Sequence, residues 1–280
     1  MSKREKFRPA NSWWQRWRRY WRAWRGAGEL KRHRVELVAV NGFRCKRVLF
    51  DSEPAARQVA GSLTTLEPLE RFPKLIERLG KEVRVEYVPG PLARPVRDER
   101  ELLDFFSELY CTQACLIGLA ESGLLPRLAE DLAFLVQHGR LDFTASERLL
   151  VAARSRAPEA LWMGYDYIDP VLKNFVLRSD GRAIGIDIEA LLPNQPLGVG
   201  LAKARLRWLR PGPNRVLDAV ASAGGPKLAD QYSLVEVCFL AGYFRQKIIQ
   251  RKPRHIRIQS FKSWLEGVDI DGTRVSRPRG

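Results

Sequence analysis

The sequence predicts an α+β protein with two lobes, a small β-rich N-lobe and a helical C-lobe, preceded by an amphipathic N-terminal helix. Three observations predict this. Short apolar and β-branched runs separated by turn residues recur between Arg34 and Gly90. Beyond Asp98 the apolar residues take helical spacing. Ahead of both, residues 11–25 set tryptophans against arginines. The expected boundaries are 1–28 for the basic Trp-rich helix, 29–90 for the N-lobe, 91–270 for the C-lobe and 271–280 for a tail.

The N-terminal stretch NSWWQRWRRYWRAWRG has an N-cap candidate in Asn11 or Ser12 and a stop signal in Gly26. At 100° per residue, Trp13, Trp14, Trp17, Tyr20, Trp21 and Trp24 fall within a sector of about 120°, with Arg16, Arg18, Arg19, Arg22 and Arg25 opposite. The protein carries a formal net charge of +16, but residues 1–34 hold twelve Lys or Arg against two acids. Basicity is thus concentrated in this segment. Indoles at headgroup depth and guanidinium groups on lipid phosphates suit an anionic membrane surface, which residues 11–25 are expected to meet. Packing of the Trp stripe on the body or on a partner helix is the bland alternative. Stacking on single-stranded nucleic acid is another, and nucleic acid is not the expected partner.

At 280 residues, with 45% hydrophobic and 29% charged content, the chain can bury a sizeable core. It has no apolar run of about 18 residues or more, so no transmembrane helix is expected, and its arginine-rich start does not resemble a secretory signal. Cys45, Cys111, Cys115 and Cys238 are too scattered for a disulfide framework, which fits a reducing cytoplasm. Cys111 and Cys115 sit four apart in an expected helix. Burial on one helix face is their expected role rather than zinc binding, since His33, His138 and His255 lie far apart.

In the body, RVELVAV and FRCKRVLF read as strands joined by Asn41-Gly42, a two-residue hairpin signal. DSEPAARQVAGSLTTL reads as a loop and a helix with Val59, Leu63 and Leu66 on one side. KLIERL and KEVRVEYVPG form a further hairpin that ends at Pro89-Gly90. ELLDFFSELYCTQACLIGLAESG, PRLAEDLAFLVQHG and SERLLVAARSRAPEALW are expected as helices, and a second helical region covers roughly 200–265.

Between the helical regions lies GYDYIDPVLKNFVLRSDGRAIGIDIEAL, read as a loop, a strand (NFVLRS), a turn at Asp180-Gly181 and a strand (AIGIDI). Asn174 lies five positions after Asp169, and Asp187 thirteen after Asn174. A hairpin between Asn174 and Asp187 returns the second to the first, with Asp169 one short loop away. Oxygen ligands that converge in this way suit a hard cation such as magnesium.

DPVLKN resembles the D-x-x-x-x-N catalytic loop of the protein-kinase-like phosphotransferases. IDIE resembles their metal-binding Asp motif in its aminoglycoside-phosphotransferase and lipopolysaccharide core heptose kinase form. The resemblance covers roughly residues 35–265, with β-lobe, hinge (VEYVPG) and helical lobe in family order. It implies a protein-kinase-like fold that binds ATP and Mg2+. By this resemblance Asp169 orients or deprotonates the acceptor hydroxyl, Asn174 holds magnesium, and Asp187 bridges magnesium to the nucleotide phosphates. Lys46 is best placed to contact those phosphates, with Arg47 on the other strand face. The backbone of Glu86 and Val88, around Tyr87, is the expected adenine-binding hinge. Tyr167 stands where many kinases place His. Gln58, or the less well spaced Glu53, occupies the place of the usual Glu partner of the lysine. No glycine-rich loop is recognisable, and the backbone amides of a hairpin would serve in its place.

The function expected is an ATP-dependent phosphotransferase acting on an alcohol group of a lipid-linked saccharide of the lipopolysaccharide core. Its expected location is peripheral, on the inner face of the cytoplasmic membrane. The alternative is a pseudokinase or scaffold that binds nucleotide or a partner without phosphoryl transfer, which Gln58 favours. A protein kinase is not expected, because no activation segment is recognisable between Asp187 and Gly200.

Overall fold

The computed structural model describes residues 34–40, 42–209 and 213–251. The chain divides into two units, Met1–Arg32 and His33–Gly280, and all the described residues belong to the second. The helix expected over residues 11–25 and the tail at 271–280 lie outside the described residues, as does the end of the last helical region.

Strands β1 (Arg34–Val40) and β2 (Phe43–Leu49) form the expected antiparallel hairpin. Helix α1 (Glu53–Thr65) starts next because Ser52 caps it, its hydroxyl accepting the Ala55 N–H at 3.4 Å, with Pro54 in the first turn. Val59, Leu63 and Leu66 are buried, as their spacing requires. Strands β3 (Leu75–Leu79) and β4 (Glu82–Glu86) complete an antiparallel sheet of order β1-β2-β4-β3.

From β4 the chain crosses to the second lobe in an extended linker. The Ala93 N–H donates to the Phe175 carbonyl (3.1 Å), and the Leu177 N–H donates to the Pro91 carbonyl (2.9 Å). Gly90 has φ +152°, and a Cβ there would collide with the Leu177 carbonyl, so a side chain at this position would push the linker away. Arg71, 3% exposed, ties the lobes together further back. Its guanidinium donates to both carboxylate oxygens of Glu108 at 2.8 and 2.6 Å, while its carbonyl accepts the Gly185 N–H at 2.9 Å.

The second lobe departs from expectation in three places. Helix α2 (Glu99–Tyr110) ends where a longer helix was expected, Gln113 takes φ +51°, and β5 (Cys115–Gly118) succeeds it. Cys111 therefore caps a helix and Cys115 lies in a strand; both are exposed, not buried on one helix face. Helices α3 (Leu119–Ser122), α4 (Leu124–Gln137) and α5 (Phe143–Ser155) come next. The stretch expected to finish the last of these, and the loop expected at GYDY, together form β6 (Ala160–Tyr167). After the hairpin of β7 (Phe175–Leu177) and β8 (Ala183–Gly185), an unexpected β9 (Leu191–Pro196) completes a β5-β6-β9 sheet. Short apolar runs do not distinguish strand from helix; pairing with a distant strand decides.

Helices α6 (Val199–Arg207), α7 (Asn214–Ser222) and α8 (Ala229–Ile249) close the lobe. Most of α8 is buried, and its Arg245 reaches the fully buried Asp131 of α4 at 2.6 Å, with Arg127 on the other carboxylate oxygen at 3.0 Å.

A second buried carboxylate, Asp166 in β6, sets the position of α6. It accepts the N–H groups of Gly198 (3.1 Å) and Gly200 (3.0 Å) and bonds the Tyr110 hydroxyl at 3.1 Å. A Cβ on Gly200 would strike the Tyr167 carbonyl and this carboxylate, so glycine permits the close approach. Burial pushes the Asp166 carboxyl up to about 6, although these hydrogen bonds pull it down. Since an unfolded Asp titrates near about 3.9, its contribution to stability is full below that pH and lost as pH rises through 6. Between about pH 4 and 7.5 the stability of wild-type protein should fall relative to Asp166→Asn by up to about 3 kcal/mol. Urea unfolding of both proteins across that range reads this directly, and parallel curves would refute the assignment.

Candidate active site

The end of β6, the loop 168–174 and the β7–β8 hairpin build the site. Because Phe175 pairs with Gly185, Asn174 and Ile186 face each other just beyond the ladder, and the Ile186 N–H donates to the Asn174 carbonyl at 2.9 Å. Asp187 comes directly after. The Asn174 side-chain amide donates to Asp187 Oδ2 at 3.1 Å and to the Asp169 carbonyl at 2.9 Å. The structure thus brings Asp169, Asn174 and Asp187 to one place, with Asn174 8% exposed.

Tyr167 holds this arrangement from below. It is fully buried, and its ring lies 5.4 Å from that of Phe105, 5.3 Å from Phe175 and 5.9 Å from Phe72. Its hydroxyl accepts the Asp187 N–H (3.0 Å) and donates to the Asn174 carbonyl (3.2 Å). Burial pushes the pKa of this phenol far above the physiological range, so it stays a neutral donor. A single side chain therefore fixes the backbone of two candidate metal ligands.

Asp169 is more open, its side chain 39% exposed. Its Oδ1 lies 2.5 Å from Nζ of Lys203 in α6. Lys46 extends from β2 across the lobes, its Nζ donating to the Ile186 carbonyl at 2.7 Å, one residue before Asp187. Arg47 bonds Glu36 at 3.0 Å and Glu82 at 2.6 Å. Those glutamates hold the guanidinium firmly protonated, chiefly through the hydrogen bond to Glu82. Of the α1 positions considered as partners for Lys46, Gln58 is exposed and Glu53 is taken by Arg57 (3.1 Å) and Arg78 (3.4 Å).

The hinge residues lie where β4 leaves its sheet. Glu86 is the last residue of β4, and its N–H donates to the Lys74 carbonyl at 2.9 Å. The Tyr87 N–H donates to the Arg44 carbonyl at 3.2 Å, and the Arg44 guanidinium stacks over the Tyr87 ring at 4.8 Å. Val88 is buried against Val176, Ile184 and Ile186, an apolar patch that joins the expected hinge to the β7–β8 hairpin.

The donor set fits a hard divalent cation. Among the described residues no group of three or more His, Cys, Asp or Glu side chains could hold a metal. An ion here would have the oxygens of Asn174 and Asp187, with its other positions left to phosphate and water, as magnesium prefers. Sequence reasoning missed Lys203, Asp166 and the role of Tyr167. Lys203 stands in the basic run AKARLRW, where nothing local separates it from Arg205 or Arg207.

No family model and no curated protein matches the sequence. Solved structures do. The chain is similar to the choline kinase LicA from Streptococcus pneumoniae, with TM-score 0.57 and 11% identity over 82% of this chain and 89% of that one. It is also similar to the macrolide 2'-phosphotransferase MphH from Brachybacterium faecium, with TM-score 0.52 and 14% identity over 86% and 91% of the two chains. A type I macrolide 2'-phosphotransferase gives TM-score 0.51 at 12% identity over 83% and 87%. Identity this low speaks to the fold, and the arrangement of sheet, hinge, hairpin and helices agrees with it. The chain has the protein-kinase-like phosphotransferase fold.

Proposed function

We propose that the protein is an ATP-dependent phosphotransferase that phosphorylates an alcohol group. The observation that carries this reading is the contact of Asn174 with Asp187 and with the Asp169 backbone in one loop-and-hairpin unit. The similar structures include a choline kinase and macrolide phosphotransferases, and LicA also with AMP (TM-score 0.54). In this reading the Glu86 carbonyl and the Val88 N–H bind the adenine edge above the Val88–Val176–Ile184 patch. Lys46 exchanges the Ile186 carbonyl for phosphate oxygens. Magnesium, when bound, supplies charge neutralisation on the phosphates, and Asn174 and Asp187 would hold it. The acceptor oxygen attacks the γ-phosphorus, its proton passes to the Asp169 carboxylate, and the bond to the ADP oxygen breaks.

For the acceptor we propose a lipid-linked saccharide, as in the lipopolysaccharide core, met at an anionic membrane surface. The support is the Trp–Arg pattern of residues 11–25, which suits an interfacial helix. No helix of the described residues is long and apolar enough to cross a membrane.

Purified protein should gain thermal stability from ATP with magnesium, since binding to the folded state alone stabilises it. Asp187→Ala should abolish most of that shift while it keeps a cooperative melt, and an unchanged shift would reject the metal-site reading. Asp169→Asn should retain nucleotide binding within about twofold and lose about 10²- to 10⁴-fold in turnover. Wild-type protein that binds ATP but neither hydrolyses nor transfers phosphate would support the pseudokinase reading, which the exposure of Gln58 favours.

Deletion of residues 1–28 should leave nucleotide binding intact and abolish cosedimentation with phosphatidylglycerol vesicles. Binding of the intact protein should weaken as salt rises. A melting temperature lowered by several degrees, with no vesicle binding by the intact protein, would instead assign the Trp stripe to packing.

A further inference from the structure

Helix α6 is anchored at both ends, to β6 and α2 at its start and to the loop 168–174 at its end. At its start Asp166 takes the N–H groups of Gly198 and Gly200, and the Leu201 N–H donates to the Tyr110 hydroxyl at 3.3 Å. At its end the indole N–H of Trp208 donates to the Pro170 carbonyl at 2.6 Å, next to Asp169. Between these anchors α6 carries three cations. Arg205 and Arg207 are exposed, and Arg205 is bound by Glu236 of α8 at 2.7 Å. Lys203 alone of the three turns inward, its side chain 13% exposed, and meets Asp169. The loop's own lysine, Lys173, is exposed. A long, flexible ammonium group loses hydration and rotamer freedom on burial, so its placement between two fixed anchors implies a defined task.

We propose that Lys203 is a positioning residue for phosphoryl transfer: its ammonium holds Oδ1 of Asp169 so that Oδ2 faces the attacking hydroxyl. This rests on the phosphotransferase reading of the same site. The acceptor O–H bond breaks as oxygen bonds to the γ-phosphorus, the proton goes to Asp169 Oδ2, and ADP departs with the electron pair of the broken P–O bond. With water as acceptor the same step yields ADP, phosphate and a proton. Without Lys203 the carboxylate, two-fifths exposed, is free to rotate towards solvent, and a displacement of about 1 Å at such a group costs on the order of 10²-fold in rate.

The test is single-turnover hydrolysis of magnesium–ATP by the full chain, with nucleotide affinity measured alongside. Lys203→Met should lower the rate about 10- to 100-fold and leave the ATP affinity within about twofold. Lys203→Arg should recover much of the rate, because the charge and its reach are kept. In an Asp169→Asn background, Lys203→Met should cost nothing further. Lys203→Gln, which is neutral and one atom shorter but ends in a polar amide, replaces the Met variant if the latter melts early. Neutral variants that hydrolyse at the wild-type rate, lose ATP affinity in step with rate, or add their loss to that of Asp169→Asn would overturn the proposal. Wild-type protein that neither hydrolyses ATP nor transfers its phosphate to a saccharide or lipid acceptor would instead bring down the phosphotransferase reading, and this inference with it.

Discussion

The carbonyl of Asn174 is the point on which the site depends. It accepts the Ile186 N–H and the Tyr167 hydroxyl, at 2.9 and 3.2 Å. The first bond extends the β7–β8 ladder by one residue, which keeps Asp187 beside Asn174. The second anchors that junction to a side chain surrounded by Phe72, Phe105 and Phe175. A buried hydroxyl with both a donor and an acceptor partner loses little on desolvation, so polar precision is obtained within an apolar setting. Kinase-like loops commonly have His at this place, and here Tyr supplies the hydrogen bonds.

Around that junction two buried carboxylates serve different ends. Asp131 is matched by Arg127 and Arg245 and joins α4 to α8, away from the chemistry. Asp166 is satisfied in another way, by backbone N–H groups and a tyrosine hydroxyl. A carboxylate held by helix-start N–H groups fixes the axial position of the helix as well as its charge. This sets α6 against the loop and gives Lys203 its place beside Asp169.

The lobes communicate through contacts of distinct kinds. Lys46 spans from β2 to the hairpin, Arg71 joins the linker before β3 to α2 and to β8, and the segment after Gly90 adds main-chain bonds to β7. The Val88 patch then connects the hinge to Ile186, so that a base stacked there would rest on the same hairpin that carries Asp187. In the proposed reading, adenine binding and phosphate placement would be coupled through one short two-stranded element.

Local chemistry made much of this legible in the sequence. Asn41-Gly42 marked the first hairpin, the spacing of Val59, Leu63 and Leu66 the buried side of α1, and Asp180-Gly181 the turn of the β7–β8 hairpin that brings Asn174 and Asp187 together, because turns, short hairpins and helix faces depend on neighbours in the chain. The sequence by itself also determined that a β-rich part precedes a helical one, since periodicity reflects which face of each element is buried. Tertiary structure alone decided that Cys115–Gly118 is a strand, that GYDY ends β6, and that Leu191–Pro196 pairs with it. Strand bonds run to distant residues, and a short apolar run carries no record of its partner. It alone also decided that Lys203, and not Arg205 or Arg207, meets Asp169: the direction of a side chain on α6 is set by anchors at Asp166 and Pro170, which lie in another part of the chain.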